Sequence, residues 1–482
     1  MSMQATSGIG VSDSPALVVD LDGTLLASDV LWESVLVLLK DRPWLAFALP
    51  FWLFRGKAFL KRQIADRVSL DVTRLPYREE VVQYLTREAQ SGRHVVLATA
   101  TDSVIAQQIA SHLGLFSEVM ASDARTNLSG ARKADRLTAR FGKGQFDYLG
   151  NDHVDIPAWS AGRQVIVVAP SRWLLWRVRR LFTVEKVMAP RASALRATLR
   201  VMRPHQWVKN LLLFVPLITS HRLIELSLLS QVLASFVSFS LCASAVYIVN
   251  DLLDMQSDRL HPRKRHRPFA AGQLAVPIGI GAAPMLFVSA FAVAAMALPA
   301  AFSGVLAVYF VTTTAYSSFL KRQPILDVMV LAGLYALRVL AGGVAVGIVI
   351  SPWLLSFALF LFLSLALMKR FSEIKATTGS RTLSGRGYRI EDGAWLQAAG
   401  LGSAYITALV LALYISSGDV TALYRNPHVL WGLCPVFLYW VTRLWFHAHR
   451  GWIEDDPVVA AVKDPASYAV AAIGGLLLLA AI

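Results

Sequence analysis

The stretch of sequence that decides the fold runs from Val246 to Gly272 and reads VYIVNDLLDMQSDRLHPRKRHRPFAAG. It starts as the end of an apolar run and then carries three aspartates, Asp251, Asp254 and Asp258, at the spacing i, i+3, i+7. On a helix these positions share one face, where three carboxylates repel one another unless a cation lies between them. Mg²⁺ suits such a set, because it binds a few carboxylate oxygens and completes its shell with water and phosphate oxygens. We therefore predict that the three aspartates are catalytic and bind Mg²⁺.

Polar and basic side chains flank the aspartates. They are Asn250 before the first aspartate and Arg263, Lys264, Arg265 and Arg267 after the last. Positive charge at this place suits a phosphorylated ligand, so we predict substrate contacts for Asn250, Arg263, Lys264 and Arg267. The alternative is a solvated loop whose arginines only mark the cytoplasmic side of a membrane protein. That alternative explains the arginines but not the aligned aspartates.

The composition indicates a membrane protein. Of the 482 residues 55% are hydrophobic and only 16% are charged, which is too apolar for a soluble enzyme of this size. The net charge of +15 lies largely in short loops between apolar segments, so we expect no nucleic-acid partner. Cys242 and Cys434 both fall in apolar runs and predict neither a disulfide framework nor a metal site. Residues 1–14 lack an apolar signal region, so we expect the chain to begin in the cytoplasm.

The last two thirds of the chain predict an all-α, polytopic membrane bundle of about nine transmembrane helices. The apolar segments lie near residues 208–220, 227–249, 275–298, 301–319, 325–347, 352–368, 395–415, 428–446 and 467–482. Basic residues are concentrated in every second loop between these segments. By the positive-inside rule those loops face the cytoplasm, on the side of the N-terminal region, and the protein belongs to the inner (plasma) membrane.

The first third of the chain predicts an α/β domain. Short apolar runs at residues 16–19, 94–98, 146–149 and 164–168 alternate with helix-like segments, which is typical of a parallel sheet. The motif Asp20-Leu-Asp22-Gly-Thr-Leu25 follows the first run, at the end of a strand where open α/β sheets place their sites.

These residues resemble the haloacid dehalogenase (HAD) phosphatase superfamily over residues 14–170, which implies a Rossmann-like fold. The resemblance implies that Asp20 is a nucleophile that forms an aspartyl-phosphate and that Asp22 is the general acid and base. Thr99 matches the phosphate-binding hydroxyl of the second motif, and Lys133 matches the basic residue of the third.

The fourth HAD motif departs from its usual pattern. Asn151 stands where an acid is common, whereas Asp155 is retained, so the implied Mg²⁺ ligands are Asp20 and Asp155. The alternative is a HAD domain kept as a scaffold without catalysis.

The domain organisation that we predict has three parts. A HAD-like domain covers residues 14–182 and carries a helical cap at residues 30–75, a linker covers 183–200, and a transmembrane transferase domain covers 201–482. Within the cap, the apolar segment 44–54 is too short to span a bilayer, so it is either an interfacial segment or the core of the cap.

Further polar residues cluster at the predicted cytoplasmic ends of the membrane segments. We predict substrate contacts for Lys209, Asn210, Tyr316, Lys321, Asp327 and Lys369. Arg338 differs from these, because it lies eleven residues past Asp327 and hence inside the bilayer. A buried arginine is costly there and faces either a cavity, in which it would bind substrate, or an acid on a neighbouring helix.

Residues 200–482 resemble the UbiA superfamily of intramembrane prenyl-group transferases, on the strength of the motif from Asn250 to Asp258. The resemblance implies a helical bundle with a central cavity, Mg²⁺ on the aspartates and a polyprenyl lipid substrate from the membrane. Within the superfamily, the motif from Arg203 to Asn210, together with Asp327 and Arg338, resembles the decaprenyl-phosphate phosphoribosyltransferases.

This branch implies a transfer of phosphoribose from a soluble phosphorylated donor, phosphoribosyl diphosphate, to polyprenyl phosphate. The fused HAD domain would then remove the 5-phosphate of the product. One alternative is an aromatic (4-hydroxybenzoate-type) polyprenyltransferase that uses polyprenyl diphosphate. Another is a transporter or lipid-binding scaffold, against which the aligned aspartates argue.

Overall fold

A computed structural model describes residues 14–189, 193–376, 386–418, 424–453 and 456–481. The chain forms two compact units, whose boundaries lie after Met202 and inside two long helices. The first unit contains Met1–Met202 and Tyr247–Ala283, and the second contains Arg203–Val246 and Pro284–Ile482. The stretch that carries the three aspartates therefore packs with the N-terminal domain, whereas the sequence predicted one continuous transferase domain at residues 201–482.

The core of the first unit is a six-stranded sheet in which every neighbouring pair of strands is parallel. Its strands are β1 Ala16–Val19, β2 Val95–Asp102, β3 Glu118–Ser122, β4 Phe146–Gly150, β5 Val165–Val168 and β6 Val184–Met188. They are arranged in the order β3-β2-β1-β4-β5-β6. Strands β1 and β5 are buried along their whole length, as expected for apolar strands covered by helices on both faces. Because β1 is central, its carboxyl end lies between those of β2 and β4.

Two strands differ from the sequence-based expectation. Strand β2 continues past Thr99 to Asp102, with a register shift in its pairing with β3, so Thr99 lies within the strand and not at its end. Strand β6 lies in the stretch 183–200, where we expected a linker, and pairs with β5. Its adjacent charged residues, Glu185 and Lys186, conceal the strand pattern, and they are tolerated because β6 is a largely exposed edge strand.

Helices pack around this sheet and form the cap. They are α1 Val30–Asp41, α2 Ala48–Phe54, α3 Lys57–Ala65, α4 Glu79–Gln90, α5 Ser103–Leu113, α6 Ala131–Phe141, α7 Ile156–Ala161, α8 Arg172–Leu181 and α9 Ala194–Met202. The segment from Pro43 to Phe54 buries Trp52 against the cap, while Phe47 and Phe54 are 89% and 91% exposed. One face of the segment therefore belongs to the cap core, as one alternative expected, and the other face is exposed.

The remaining helices include the candidate membrane spans. They are α10 Val215–Thr219, α11 Leu226–Leu253, α12 Met255–Arg259, α13 Val276–Ala297, α14 Ala300–Ser318, α15 Leu326–Val346, α16 Pro352–Lys375, α17 Gly393–Ile415, α18 Leu433–His449, α19 Pro457–Lys463 and α20 Pro465–Ala481. Seven helical segments of the described chain are long and apolar enough to cross a membrane. An eighth span results if α19 and α20, which are bent by 76° relative to each other, count as one.

The count of nine spanning helices is therefore not reached among the described residues. The segment expected near residues 208–220 is a 3-10 helix, Pro204–Phe214, followed by the five-residue α10. Pro216 lies in the first turn of α10 and has no amide hydrogen, so a regular α-helix cannot continue through it.

Candidate active sites

The three aspartates of the motif lie at the junction of α11 and α12. Asp251 is in the last turn of α11, Asp254 is half-buried at the junction, and Asp258 is in α12. The Asp254 amide donates to the Asn250 carbonyl at 2.9 Å, and the Asp258 amide donates to the Asp254 carbonyl at 2.8 Å. Helical hydrogen bonds thus continue across the junction and keep Asp251 and Asp258 on one face.

Two of these carboxylates converge on one positively charged atom. Nη1 of Arg267 donates to Asp251 at 3.1 Å and to Asp258 at 2.6 Å, and both aspartates are buried. Burial raises the pKa of Asp258 above its usual value, although the Arg267 guanidinium opposes this. Two buried carboxylates aimed at one cationic centre form a donor set that fits a divalent cation. Among the described residues, however, no cluster of three or more His, Cys, Asp or Glu side chains has metal-binding geometry.

The loop that follows α12 is held by a buried ion pair. Arg259 binds Glu33 of α1 with two hydrogen bonds, of 3.0 and 2.5 Å, and donates from Nε to the Ala270 carbonyl at 2.9 Å. The Glu33 side chain is fully buried and that of Arg259 is 7% exposed. Gly272 adopts a φ of +64° and leaves no room for a Cβ, which would lie 2.5 Å from Ala27. Because Arg259 directly follows Asp258 in the chain, its contacts also fix the position of the backbone at Asp258.

The other predicted substrate-binding residues of the motif lie nearer the surface. Asn250 is half-buried, whereas Arg263 and Lys264 are exposed in a short turn after α12. Within the described part of the chain, Arg267 contacts both Asp251 and Asp258. Its predicted contact with a substrate phosphate stays a prediction.

The HAD motifs meet at the carboxyl ends of β1 and β4. Asp20, directly after β1, accepts a hydrogen bond of 2.6 Å from Nζ of Lys133 in α6 and one of 3.3 Å from Thr24. Lys133 Nζ also donates to the Tyr148 hydroxyl at 3.0 Å and lies 3.8 Å from Asp155. The nucleophile predicted from the first motif therefore contacts the basic residue predicted from the third.

The fourth motif forms a tight loop around Asp155. Its carboxylate accepts from the Tyr148 hydroxyl at 2.8 Å and from the backbone amides of Asn151 and Asp152 at 2.9 and 3.1 Å. The Asn151 side chain instead accepts from Thr24 at 3.1 Å. Asn151 thus supports the loop of the first motif, where a carboxylate would have added a further negative charge beside Asp20.

Asp22 lies apart from this cluster and meets the cap. Its carboxylate accepts from the Val30 amide at 2.8 Å and from the Thr101 hydroxyl at 2.7 Å. Thr99 accepts from the Thr101 amide at 3.0 Å and is fully buried. Lys61 of α3 reaches the Ala100 carbonyl at 2.5 Å, and burial lowers its pKa.

Burial and crowding raise the pKa of both HAD aspartates. Burial, opposed by Lys133 and reinforced by Asp155 and Asp22, raises the pKa of Asp20 to about 7. Burial and the nearby Asp29 raise the pKa of Asp22 to about 6. Carboxylates that crowd one another in this way are a donor set that a divalent cation would stabilise. A carboxyl with a pKa near the working pH is also suited to acid–base catalysis.

In the second unit, Arg338 is buried in α15 among neutral partners. Its guanidinium donates to Asn210 at 2.9 Å, to the Leu334 carbonyl at 2.6 Å and to the Tyr309 hydroxyl at 3.1 Å. Within the described part of the chain no carboxylate lies within ion-pair distance, so the alternative of an ion pair with a neighbouring acid receives no support. Gly342 lies one turn further along α15 and allows the backbone at Leu213 to pack closely against this helix. A Cβ at this position would lie 2.2 Å from the Leu213 carbonyl oxygen.

Two predicted substrate lysines converge on an aspartate that the sequence reasoning missed. Nζ of Lys209 lies 2.5 Å from Asp456, and Nζ of Lys369 lies 3.0 Å from it. Although burial opposes the shift, these two ammonium groups hold the pKa of Asp456 well below its usual range. Asp456 is the last of three consecutive acidic residues between apolar segments, and no spacing pattern distinguishes it from the other two.

Asp327 belongs to a closed ion-pair network. It accepts from Arg370 and from Tyr388, both at 2.6 Å, and Arg370 also reaches Glu373 at 2.7 Å and Tyr316 at 2.8 Å. The side chains of Asp327 and Arg370 are fully buried, so these contacts take up most of the hydrogen-bonding capacity of the Asp327 carboxylate. Lys321 lies in the turn between α14 and α15, half-buried.

Sequence reasoning also missed Tyr148 and Thr101 in the HAD site. Thr101 follows Thr99 at the spacing i, i+2, which places both on one face of β2, and this signal could have identified it. Tyr148 lies inside an apolar run and resembled a core residue.

A bundle of long apolar helices with buried carboxylates at a helix junction is typical of a membrane transferase. Residues 212–462, just over half of the chain, match the UbiA prenyltransferase family. The chain belongs to this family and is a multi-pass membrane protein.

Similar proteins extend over both halves of the chain. A Sinorhizobium fredii protein, y4nM, is 36% identical over 462 residues, covering 95% of this chain and 89% of that protein. A decaprenyl-phosphate phosphoribosyltransferase of Mycobacterium tuberculosis is 39% identical over 194 residues, which are 39% of this chain and 64% of that protein.

Solved structures are similar to each half separately. A UbiA homologue from Archaeoglobus fulgidus, bound to GPP and Mg²⁺, covers 59% of this chain and 97% of its own, with 17% identity and a TM-score of 0.44. A phosphoserine phosphatase covers 36% of this chain and 93% of its own, with 12% identity and a TM-score of 0.27. The prediction of an α/β domain followed by a UbiA-type helical domain is confirmed.

Proposed function

We propose that the chain transfers phosphoribose from phosphoribosyl diphosphate to a polyprenyl phosphate in the membrane, and that its HAD domain removes the 5-phosphate of the product. The observation that carries the proposal is the convergence of buried Asp251 and Asp258 on one cationic atom. The similarity to a decaprenyl-phosphate phosphoribosyltransferase supports this choice of donor and acceptor.

The aspartates of the first unit fit Mg²⁺ by the chemistry of their donors. Asp251, Asp254 and Asp258 would hold it. When bound, Mg²⁺ would neutralise the charge of the leaving diphosphate. In the transfer, an oxygen of the lipid phosphate forms a bond to the anomeric carbon of the ribose while the bond from that carbon to diphosphate breaks.

Arg338 is the residue best suited to bind phosphate in the helical bundle. A buried guanidinium held by three neutral acceptors keeps its full charge, and an anion is the partner that such a charge favours. Lys209 and Lys369 share one countercharge, the Asp456 carboxylate, so we assign them a supporting role.

In the HAD site, Asp20 and Asp155 would hold Mg²⁺ and Lys133 would contact the phosphate. The Asp20 carboxylate attacks phosphorus, and the bond from phosphorus to the ribose oxygen breaks. Asp22 gives its proton to that leaving oxygen, and then takes a proton from the water that hydrolyses the aspartyl-phosphate. We place both sites on the cytoplasmic side, since the basic loops and the HAD domain share that side by the positive-inside rule.

One experiment separates the candidate transferases. Purified full-length protein with Mg²⁺ is incubated with phosphoribosyl diphosphate and polyprenyl phosphate, and separately with 4-hydroxybenzoate and polyprenyl diphosphate. We expect a lipid product in the first reaction alone. A product in the second reaction alone would replace the proposal by an aromatic polyprenyltransferase, and no product in either would refute a transferase of these two kinds.

The metal site is tested by Asp251→Ala and Asp254→Ala. Each should abolish transfer while leaving expression and membrane insertion unchanged, because each removes a carboxylate at the proposed Mg²⁺ site. If both variants transfer at nearly the wild-type rate, the assignment of a Mg²⁺ site to these aspartates is wrong.

The phosphatase is tested by Asp20→Asn, which keeps the shape of the side chain and removes its nucleophilic charge. We expect this variant to consume phosphoribosyl diphosphate at the wild-type rate and to accumulate a lipid that retains its 5-phosphate. Mass analysis of the lipid fraction distinguishes the products by one phosphate. Identical lipid profiles for the variant and the wild type would make the HAD domain a scaffold.

A further inference from the structure

The first unit contains a cleft of about 570 Å³ that opens beside the HAD site. Its lining includes Asp22, Gly23 and Asn151 of the HAD motifs. It also includes residues of the segment 269–277, which follows the aspartate motif in the chain and which we call the cleft wall. A volume of this size lies in the range of small-molecule binding sites.

The cleft is lined by both polar and apolar residues. Its polar lining includes Asp22, Arg78 and His153, and among the described atoms the His153 Nδ1 is buried without a hydrogen-bond partner. Its apolar lining includes Ala275 and Pro277 of the cleft wall, which are exposed, with Leu274 and Val276 buried beneath them. Such a mixed lining suits a ligand with a phosphorylated head and an apolar extension.

The cleft wall leads directly into a candidate membrane span. Val276 is the first residue of α13, which is long and apolar enough to cross a bilayer. The same unit exposes aromatic side chains on the cap, with Phe47 and Phe54 almost fully open. Both features belong at a lipid surface, because interfacial segments bury such side chains among the acyl chains.

We propose that the cleft wall makes the HAD site selective for a phosphomonoester carried by a membrane lipid over the same phosphomonoester free in water. The inference rests on the proposed phosphatase function and adds its specificity determinant. The polar residues of the cleft hold the phosphoribose, and the exposed apolar residues of the cleft wall hold the first carbons of the lipid that follow the head group. A soluble sugar phosphate meets the same polar residues but leaves the cleft wall uncovered by ligand.

Ala275 and Gln273 are the positions from which to test the wall. Both line the cleft and are exposed, so a larger side chain enters the cleft without replacing a core contact. Ala275→Trp and Gln273→Trp are compared with Ala139→Trp as a matched control. Ala139 is an exposed alanine of α6 that does not line the cleft.

The measurement is kcat/KM for phosphate release from two substrates that share one head group. They are polyprenyl-phosphate-linked 5-phosphoribose in detergent micelles and free ribose 5-phosphate. We expect wild type and Ala139→Trp to prefer the lipid substrate, and Ala275→Trp and Gln273→Trp to lower that preference by about tenfold or more. An unchanged preference in both cleft-wall variants, with wild-type hydrolysis of either substrate, overturns the inference and leaves the phosphatase intact.

Failure of the underlying phosphatase has a different signature. It is seen if wild type releases phosphate from neither substrate, or if Asp20→Asn releases it as fast as wild type. Either result overturns both proposals. If Ala275→Trp does not fold, Gln273→Trp decides alone.

Discussion

Replacing Glu33 with alanine should destabilise the first unit by about 3–5 kcal/mol, the range found when one partner of a buried ion pair is removed. The Glu33 carboxylate is fully buried and makes two hydrogen bonds to Arg259, which is itself 7% exposed. Without it the guanidinium keeps its hydrogen bond to the Ala270 carbonyl but has lost its countercharge in a low-dielectric site. For a unit of this size, 1 kcal/mol corresponds to roughly 2–4 °C in melting temperature, so the expected fall is about 6–20 °C.

The assay is thermal unfolding of the full-length protein in detergent, with hydrogen exchange of peptides from residues 30–41 and 259–272 as a local readout. Asp66→Ala is the matched control, since it breaks the Arg62–Asp66 pair of the same unit. That pair has a comparable distance of 3.0 Å but side chains that are 35% and 43% exposed. An exposed pair contributes about 0–1 kcal/mol, so this variant should melt within a few degrees of wild type.

A double variant separates charge from packing. Glu33→Leu with Arg259→Met removes both charges and keeps similar volume, so it should recover most of the stability that Glu33→Ala loses. The reasoning is refuted if Glu33→Ala melts with wild type. It is also refuted if the double variant is no more stable than the single one, because the loss would then not come from an unpaired charge.

Three further outcomes follow from other contacts. Arg338→Lys should lower the transfer rate by about 100-fold, because an ammonium group cannot reproduce the guanidinium hydrogen bonds, and a fully active, folded Arg338→Met would exclude the arginine from the substrate site. Burial raises the pKa of Asp147, but hydrogen bonds from Arg163 and Arg93 outweigh this and hold the pKa below its usual value. The Asp147 carboxylate therefore stabilises the fold above about pH 4, and this stabilisation is lost as the pH falls through the pKa of the folded state. The difference in melting temperature between wild type and Asp147→Asn should therefore shrink below about pH 4, and a constant difference from pH 7 to pH 3 would contradict this. Asp456→Asn should reduce protein stability in detergent, since it leaves two half-buried ammonium groups without their countercharge; an unchanged melting temperature would argue against that ion-pair cluster.

The parts of the fold that the sequence determined are local. Apolar runs of strand length alternating with helical segments predict the parallel sheet, and runs of about 20 apolar residues predict the spans, because backbone geometry converts spacing into a buried face. The same holds within the sites. The i, i+7 spacing of Asp251 and Asp258 is enough to align them, and the strand end at Val19 is enough to place Asp20 beside the ends of its neighbours.

Contacts between residues far apart in the chain were determined only by the tertiary structure. Glu33 and Arg259 are 226 positions apart, and Lys209 and Asp456 are 247 apart. No periodicity connects such residues, since their meeting depends on how whole elements pack and on which buried charge each side chain must neutralise. The same reason explains why Arg267 lies on the aspartates and why the segment 269–277 became a wall of the HAD cleft. The chemical character of these residues follows from the sequence, but their contact partners depend on which side chains are buried together in the folded protein.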